Sequence, residues 1–195
     1  MESARVARLA KDNDLQRALA LARKGDAEAW GELYRRFAPA IERFCRHALG
    51  NAQDAEDATG DIFIKLRNKL DQYDPQRPFT PWLYRLAGNY CWDLLRQKNR
   101  RGFETEASDE LPLAATHPGQ LEQLMASQSA EQIRHALAQL PERSRLALTL
   151  RYYSDLNYEE IAEVLRLPRA YIGVVLLRAR QQLRQALLPE METGA

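Results

Sequence analysis

Hydrophobic positions recur along this chain at the i, i+3, i+4, i+7 spacing of buried helical stripes, and alternating strand-like runs are absent. The pattern predicts an all-α fold: two small helical domains joined by an acidic linker, the C-terminal one a helix-turn-helix. Residues 1–13 read as frayed or weakly helical. Asp14 is the expected N-cap of a helix through Leu15, Leu19 and Ala22, and Gly25 its stop. Asp26 caps the next helix, whose stripe is Trp30, Leu33, Tyr34, Phe37, Ile41 and Phe44. A third helix starts at Asn51. Residues 70–79, with an Asp74-Pro75 step and Pro78, form a loop. From Pro81 a fourth helix turns Leu83, Leu86, Ala87, Tyr90 and Leu94 inward.

Between Gly102 and Glu131 there is no Lys or Arg, while Glu104, Glu106, Asp109, Glu110 and Glu122 supply acid and Pro112, Pro118 and Gly119 break helices. The expected division is therefore residues 1–101, a linker over 102–130, and a second domain over 131–195. In that domain Ile133, Ala136, Leu137 and Leu140 make a helix that Pro141 stops. Another runs through Leu146, Leu150 and Tyr153. A short helix over 158–165, a turn at Arg166-Leu167-Pro168 and a longer helix from Arg169 follow, with Ile172, Leu176, Ala179 and Leu183 inward. Short helix, tight turn and longer helix is the layout whose second helix enters the major groove of DNA.

A net charge of +1 over 195 residues rules out a polycation, so any nucleic-acid surface has to come from local sorting of charge. Such sorting is present. Arg166, Arg169, Arg178, Arg180 and Arg184 face only Glu160 and Glu163 over 160–188. Cys45 and Cys91 sit in apolar stripes and read as core thiols of a reducing compartment rather than a disulfide framework. Neither a signal peptide nor a membrane-spanning apolar run is legible, which predicts a cytoplasmic protein without a membrane partner.

The outer side of the fourth helix carries Arg85, Asn89, Trp92 and Arg96 and runs out into Lys98, Arg100 and Arg101. Guanidinium groups hold phosphates, an indole stacks on a base, and an amide reads a base edge. Gly88 beside this face lets another backbone approach. The bland reading, a basic amphipathic helix with its Trp covered by a neighbour, carries equal weight on this stretch alone. Tyr73 and Arg77 in the preceding loop suit capture of an unstacked base. Asp54, Asp57 and Asp61 share one face of the third helix; they read as an acidic docking surface or as a merely solvated face. His47, His117 and His135 lie at no ligand spacing, and neither a phosphate-binding glycine loop nor a nucleophile elbow is present. That argues against an enzyme and gives no cofactor or metal site.

Taken in order, several motifs resemble the extracytoplasmic-function group of bacterial sigma factors, the form with regions two and four only. They are Gly25-Asp26-Ala27-Glu28-Ala29-Trp30, Asp54-Ala55-Glu56-Asp57 with Phe63, Trp82-Leu83 through Arg96, Leu140-Pro141-Glu142-Arg143-Ser144-Arg145, and Glu159-Glu160-Ile161-Ala162-Glu163-Val164-Leu165 with Arg178-Ala179-Arg180. The resemblance implies that Asp54, Asp57, Asp61 and Phe63 dock on core RNA polymerase. It implies that Tyr73, Arg77, Arg85, Asn89, Trp92, Arg96, Lys98, Arg100 and Arg101 melt and hold the minus-ten promoter element. Arg169, Tyr171, Val174, Arg178 and Arg180 would meet the minus-thirty-five element, and an anti-sigma factor is an implied partner. The alternatives are a stand-alone helix-turn-helix regulator and a protein-binding adaptor.

Three departures from the family pattern stand out. Gly60-Asp61 replaces Gln-Glu on the docking helix. Arg166 takes a turn position often held by Gly, which costs on the order of 1 kcal/mol if the backbone is left-handed. Tyr171-Ile172-Gly173-Val174-Val175 stands where the family has Thr-Val-Lys-Ser-Arg, leaving a largely apolar face that touches thymine methyls but reads few base edges. Weak or unusual minus-thirty-five recognition is the expectation, with protein binding by this face as the rival.

Overall fold

The computed structural model describes residues 2–101, 130–154 and 156–187, with backbone alone described for 2–12, 99–101 and 130. Apart from Ala130, the expected linker over 102–130 lies outside the described residues. Those described form α1 (Glu2–Arg23), α2 (Ala27–Leu49), α3 (Ala52–Lys69), a 3-10 turn (Leu70–Gln72), α4 (Phe79–Arg101), α5 (Ala130–Ala138), α6 (Glu142–Tyr153), α7 (Tyr158–Leu165) and α8 (Arg169–Leu187). Among them there is no strand, so the chain is all-α, in two helical units.

Local chemistry sets most helix ends. Gly25 turns the chain at φ +86°, and the Asp26 carboxylate accepts from the Ala29 N–H at 2.8 Å, so α2 starts where expected. Asn51 accepts from the Gln53 and Asp54 N–H groups and opens α3. Asn157 and Glu160 form a reciprocal capping box on α7. Arg166 ends α7 in the left-handed conformation, φ +55°, the strained arrangement anticipated for a non-glycine there. Asp14, by contrast, caps nothing: α1 runs through it from Glu2. The residues before it, Ala4 to Lys11, are mostly good helix formers, so the helix need not begin at a polar cap.

In the first unit Leu19, Leu33, Ile41, Phe44, Ile62, Leu66 and Leu83 are buried, and in the second Leu137, Leu146, Leu150, Ile161, Ile172, Leu176 and Leu183. Each such side chain stabilises the fold by about 1.5–3 kcal/mol. The two sets belong to one continuous cluster. α6 is the reason. Six consecutive residues, Arg145 to Leu150, are buried because α6 packs on α2 and α4 on one side and on α7 and α8 on the other. Cys45 and Cys91 are free thiols in the first unit's core, Sγ to Sγ 3.8 Å. Their mutual hydrogen bond, then burial, pushes the Cys91 thiol well above its ordinary range. No described helix is long and apolar enough to cross a membrane.

Candidate nucleic-acid interface

α4 is buried on two sides rather than one. Leu83, Tyr84, Ala87 and Cys91 lie in the core with Phe44 against Tyr84, while Leu86, Tyr90 and Leu94 of the expected stripe are only half-buried. The other side faces the second unit. A Cβ on Gly88 would stand 2.8 Å from Leu150 Cδ2 and 3.1 Å from Val164 Cγ1, so the close approach this glycine permits is that of α6 and α7.

Trp92, open to solvent on one of the two readings of this stretch and covered by a neighbour on the other, is only 4 % exposed. Arg143 of α6 lies over its ring at 5.2 Å, and its Nε1–H is buried without an acceptor. The open reading is thus corrected: a tryptophan on the polar side of a helix was covered by a partner from far along the chain. Arg85 is half-buried and pairs with Glu163 of α7 at 3.3 Å. Asn89 is half-buried, and Arg96 is exposed. Lys98 pairs with Asp54. The side chains of Arg100 and Arg101 lie outside the described residues.

Tyr73 is a second correction. It is 3 % exposed, its hydroxyl donates to the Arg77 carbonyl at 2.6 Å, and its ring packs at 5.2 Å on Phe79 and 5.3 Å on Trp82. Arg23 of α1 donates to its carbonyl and lies over its ring. Tyr73 is therefore a pin that fixes the loop. Arg77 is exposed on that loop beside Asp74.

Along α3 the acidic row is split. Asp54 is engaged by Lys98, and Asp61 accepts from the Tyr90 hydroxyl, whose proton is held well above its ordinary range by burial and by Asp61. Asp57 is exposed and bonded only within α3, to Gln53. Phe63 is buried, its ring 4.7 Å from that of Tyr34. The periodicity missed two members of this surface. Tyr34, read as core, and Ile64 are exposed large hydrophobics on neighbouring helices. Ile64 lies two residues after Ile62, off the buried stripe, and that was the available signal.

The units meet through further polar contacts. Arg166 reaches Asp93 of α4 at 2.6 Å. Arg145 donates to the Ala48 carbonyl at 2.8 Å. Tyr153 shares a 2.7 Å hydrogen bond with His47 Nε2. Burial, then the charges of Arg134, Arg43 and Arg46, lowers the His47 pKa to about 4.

α8 keeps its outer face accessible. Tyr171 is 61 % exposed, Gly173 has open space around it, and Val174, Arg178 and Arg180 are half-buried. Arg169 pairs with Glu159, which is held below the usual carboxylate range by a backbone hydrogen bond and then by this arginine.

Family models for Sigma-70 region 2 and Sigma-70, region 4, match residues 33–101 and 130–183. The chain is 28% identical over 172 residues to the ECF RNA polymerase sigma factor SigW of Bacillus subtilis, covering 85% of this chain and 92% of that one. It is 30% identical over 186 residues to the RNA polymerase sigma factor CnrH of Cupriavidus metallidurans, covering 92% and 97%. The solved structure of CnrH in complex with the cytosolic domain of CnrY superposes with a TM-score of 0.55 at 26% identity, covering 87% of this chain and 94% of that one.

Proposed function

This chain belongs to the sigma-70 family as an extracytoplasmic-function sigma factor, a subunit that binds core RNA polymerase and directs promoter-specific initiation, and on that premise we propose how its surfaces divide the work. The first unit, residues 1–101, docks on polymerase through α3: Asp57 openly, Asp54 and Asp61 once Lys98 and Tyr90 release them, with Phe63 backing the exposed Tyr34 and Ile64. α4 holds the separated minus-ten strand. Arg85, Arg96, Lys98, Arg100 and Arg101 take phosphates, Asn89 reads a base edge, and Trp92 stacks. Arg77 joins them from the loop that Tyr73 braces.

The second unit, residues 131–195, approaches the minus-thirty-five element with α8. Arg169, Arg178 and Arg180 supply phosphate contacts, and Tyr171 and Val174 supply apolar contact with little hydrogen-bond readout. The acidic segment 102–130 joins the two. The protein acts in the cytoplasm, where polymerase and promoter are, and an anti-sigma factor is a partner; the related CnrH is known in complex with the cytosolic domain of CnrY.

The observation that carries this reading is the co-location of Arg85, Asn89, Trp92 and Arg96 on one side of one helix inside the region-two match. Reconstitution with core polymerase, followed by sequencing of transcript starts, tests it. Asn89→Ala is expected to leave polymerase binding intact and to reduce strand opening; normal opening by that variant would overturn the assignment of α4.

A further inference from the structure

We propose that α1 is the mount of the loop that presents Arg77 to the separated strand, and that Arg23 is a positioning residue for strand capture that itself touches no DNA. The inference rests on the reading of that loop given above. Residues 73–78 include Pro75 and Pro78, which carry no N–H, so few backbone bonds can hold the segment. The tip is closed by its own groups. Asp74 accepts the Gln76 N–H on its carboxylate at 2.9 Å and the Arg77 N–H on its carbonyl at 3.0 Å, with Pro75 at the second position of the turn. At the base of the loop one guanidinium takes two carbonyls: Arg23 Nε donates to that of Leu70 at 3.1 Å, and Arg23 Nη2 to that of Tyr73. Two helical turns earlier on the same side of α1, Gln16 donates to the Tyr73 hydroxyl at 3.4 Å. That hydroxyl donates onward to the Arg77 carbonyl at 2.6 Å. α1 therefore grips Tyr73 at its carbonyl, its ring and its hydroxyl, and the last of these leads to the residue assigned to DNA.

The mount is fixed, and what it presents is open. Leu15, Ala18, Leu19 and Ala22 anchor α1 in the first unit's core. Gln16 and Arg23 are half-buried, where water competes less for their bonds. Asp74, Gln76 and Arg77, at the tip, are exposed. A tie that served stability alone could end at Tyr73; this one continues to the Arg77 backbone. A loop held in one conformation before the strand arrives loses less freedom on binding it. The first helix thereby takes part in promoter capture through the loop alone.

The test uses the full chain with core polymerase, on a promoter found by sequencing of transcript starts and on a library of that promoter randomised across the minus-ten element. Run-off transcription compares the unaltered chain, Arg23→Ala, Arg77→Ala and the double variant. Arg23→Ala is expected to lower run-off about tenfold, as misplacing a contact group does, and to flatten the base preference at one minus-ten position. In the Arg77→Ala background the same change is expected to cost less than about twofold, because both act through one contact. A tie that only stabilises the fold would lower both backgrounds alike and leave the base preference unchanged, and that result overturns the proposal. Arg23→Lys keeps the charge and loses the fork that spans two carbonyls; it carries the same cycle, with the same outcomes, if Arg23→Ala does not fold. Failure of the loop reading looks different. If Arg77→Ala alone transcribes normally with its base preference unchanged, that reading falls and the mount falls with it. If Arg77→Ala lowers run-off and Arg23→Ala adds its full loss to it, the loop reading stands and the mount alone falls.

Discussion

The two helices proposed to meet DNA are opposites. α4 is rich in groups that hold nucleic acid, and its outward side is covered: Trp92 is sealed, Arg85 is paired, and Gly88 has no room. α8 brings arginines for phosphates but few groups that read a base edge, and its outward side is open, with Tyr171 in solvent and nothing near Gly173. Chemical capacity and accessibility are thus separate properties. In a chain whose two units share one core, a surface is specified by what packs on it as much as by what it carries.

The sharpest way to break this comparison is to truncate the two aromatics. Trp92→Ala is expected to destabilise the protein by about 3 kcal/mol, because it empties a sealed site between units. Tyr171→Ala is expected to stay within about 0.5 kcal/mol. Urea unfolding of both variants checks this, and equal losses would mean that Trp92 is not sealed in solution.

Next in size is acidity at the same interface. His47 is kept neutral by burial, with its pKa lowered to about 4. Unfolded, it takes up a proton near its ordinary pKa of about 6.5. The unfolded chain therefore binds the extra proton between those values. The stabilisation is complete above about pH 6.5 and declines as the pH falls toward 4. At pH 5 the loss amounts to at most roughly 2 kcal/mol, and the difference in urea midpoints between the protein and His47→Gln isolates it. A pH-independent difference would place His47 in water.

Smaller effects separate the two glycines. Gly88→Ala brings a methyl into Leu150 and Val164 and is expected to lower stability by about 1 kcal/mol or more. Gly173→Ala meets open space in a helix and is expected to raise it by about 1 kcal/mol. The weakest expected effect is on duplex reading. Scrambling the upstream element is expected to change holoenzyme binding less than about threefold, which is under the typical discrimination of one good bidentate base contact. Gly173→Lys, which has room, is expected to make binding more salt-dependent, by roughly one counterion. A large loss on scrambling in a gel shift would show that Tyr171 and Val174 read the element after all.

Local signals were legible wherever the deciding atoms lay close in sequence. Asp26 and Asn51 cap helices with backbone groups two or three residues away, and Gly25 turns where no side chain opposes it. The inward stripe of α8, Ile172, Leu176, Ala179 and Leu183, is fully buried as its spacing requires. The row on α4 was legible as a row, and cover over its Trp as one of two readings; which residues cover it was not legible. A single helical period marks one apolar side, whereas α4 lies between two units and is covered on a second side by residues more than fifty positions away. The same limit applied to Tyr73. The aromatic ring in a proline-bounded loop gave no sign that Arg23 and Trp82 would close on it. Asp14 misled in the other direction, as a good cap residue inside a run already disposed to be helical.

Arg145 carries one more consequence. Its guanidinium belongs to α6, yet it bonds the Ala48 carbonyl in the last turn of α2 and lies against Gly50, the left-handed residue that ends that helix. The second half of the polypeptide thereby completes a terminus made by the first half, under cover of a shared interior. Parting the halves would strand that carbonyl and leave the guanidinium only the Ala138 carbonyl of α5. The intact protein is accordingly expected to melt in one cooperative step rather than as two beads on a string.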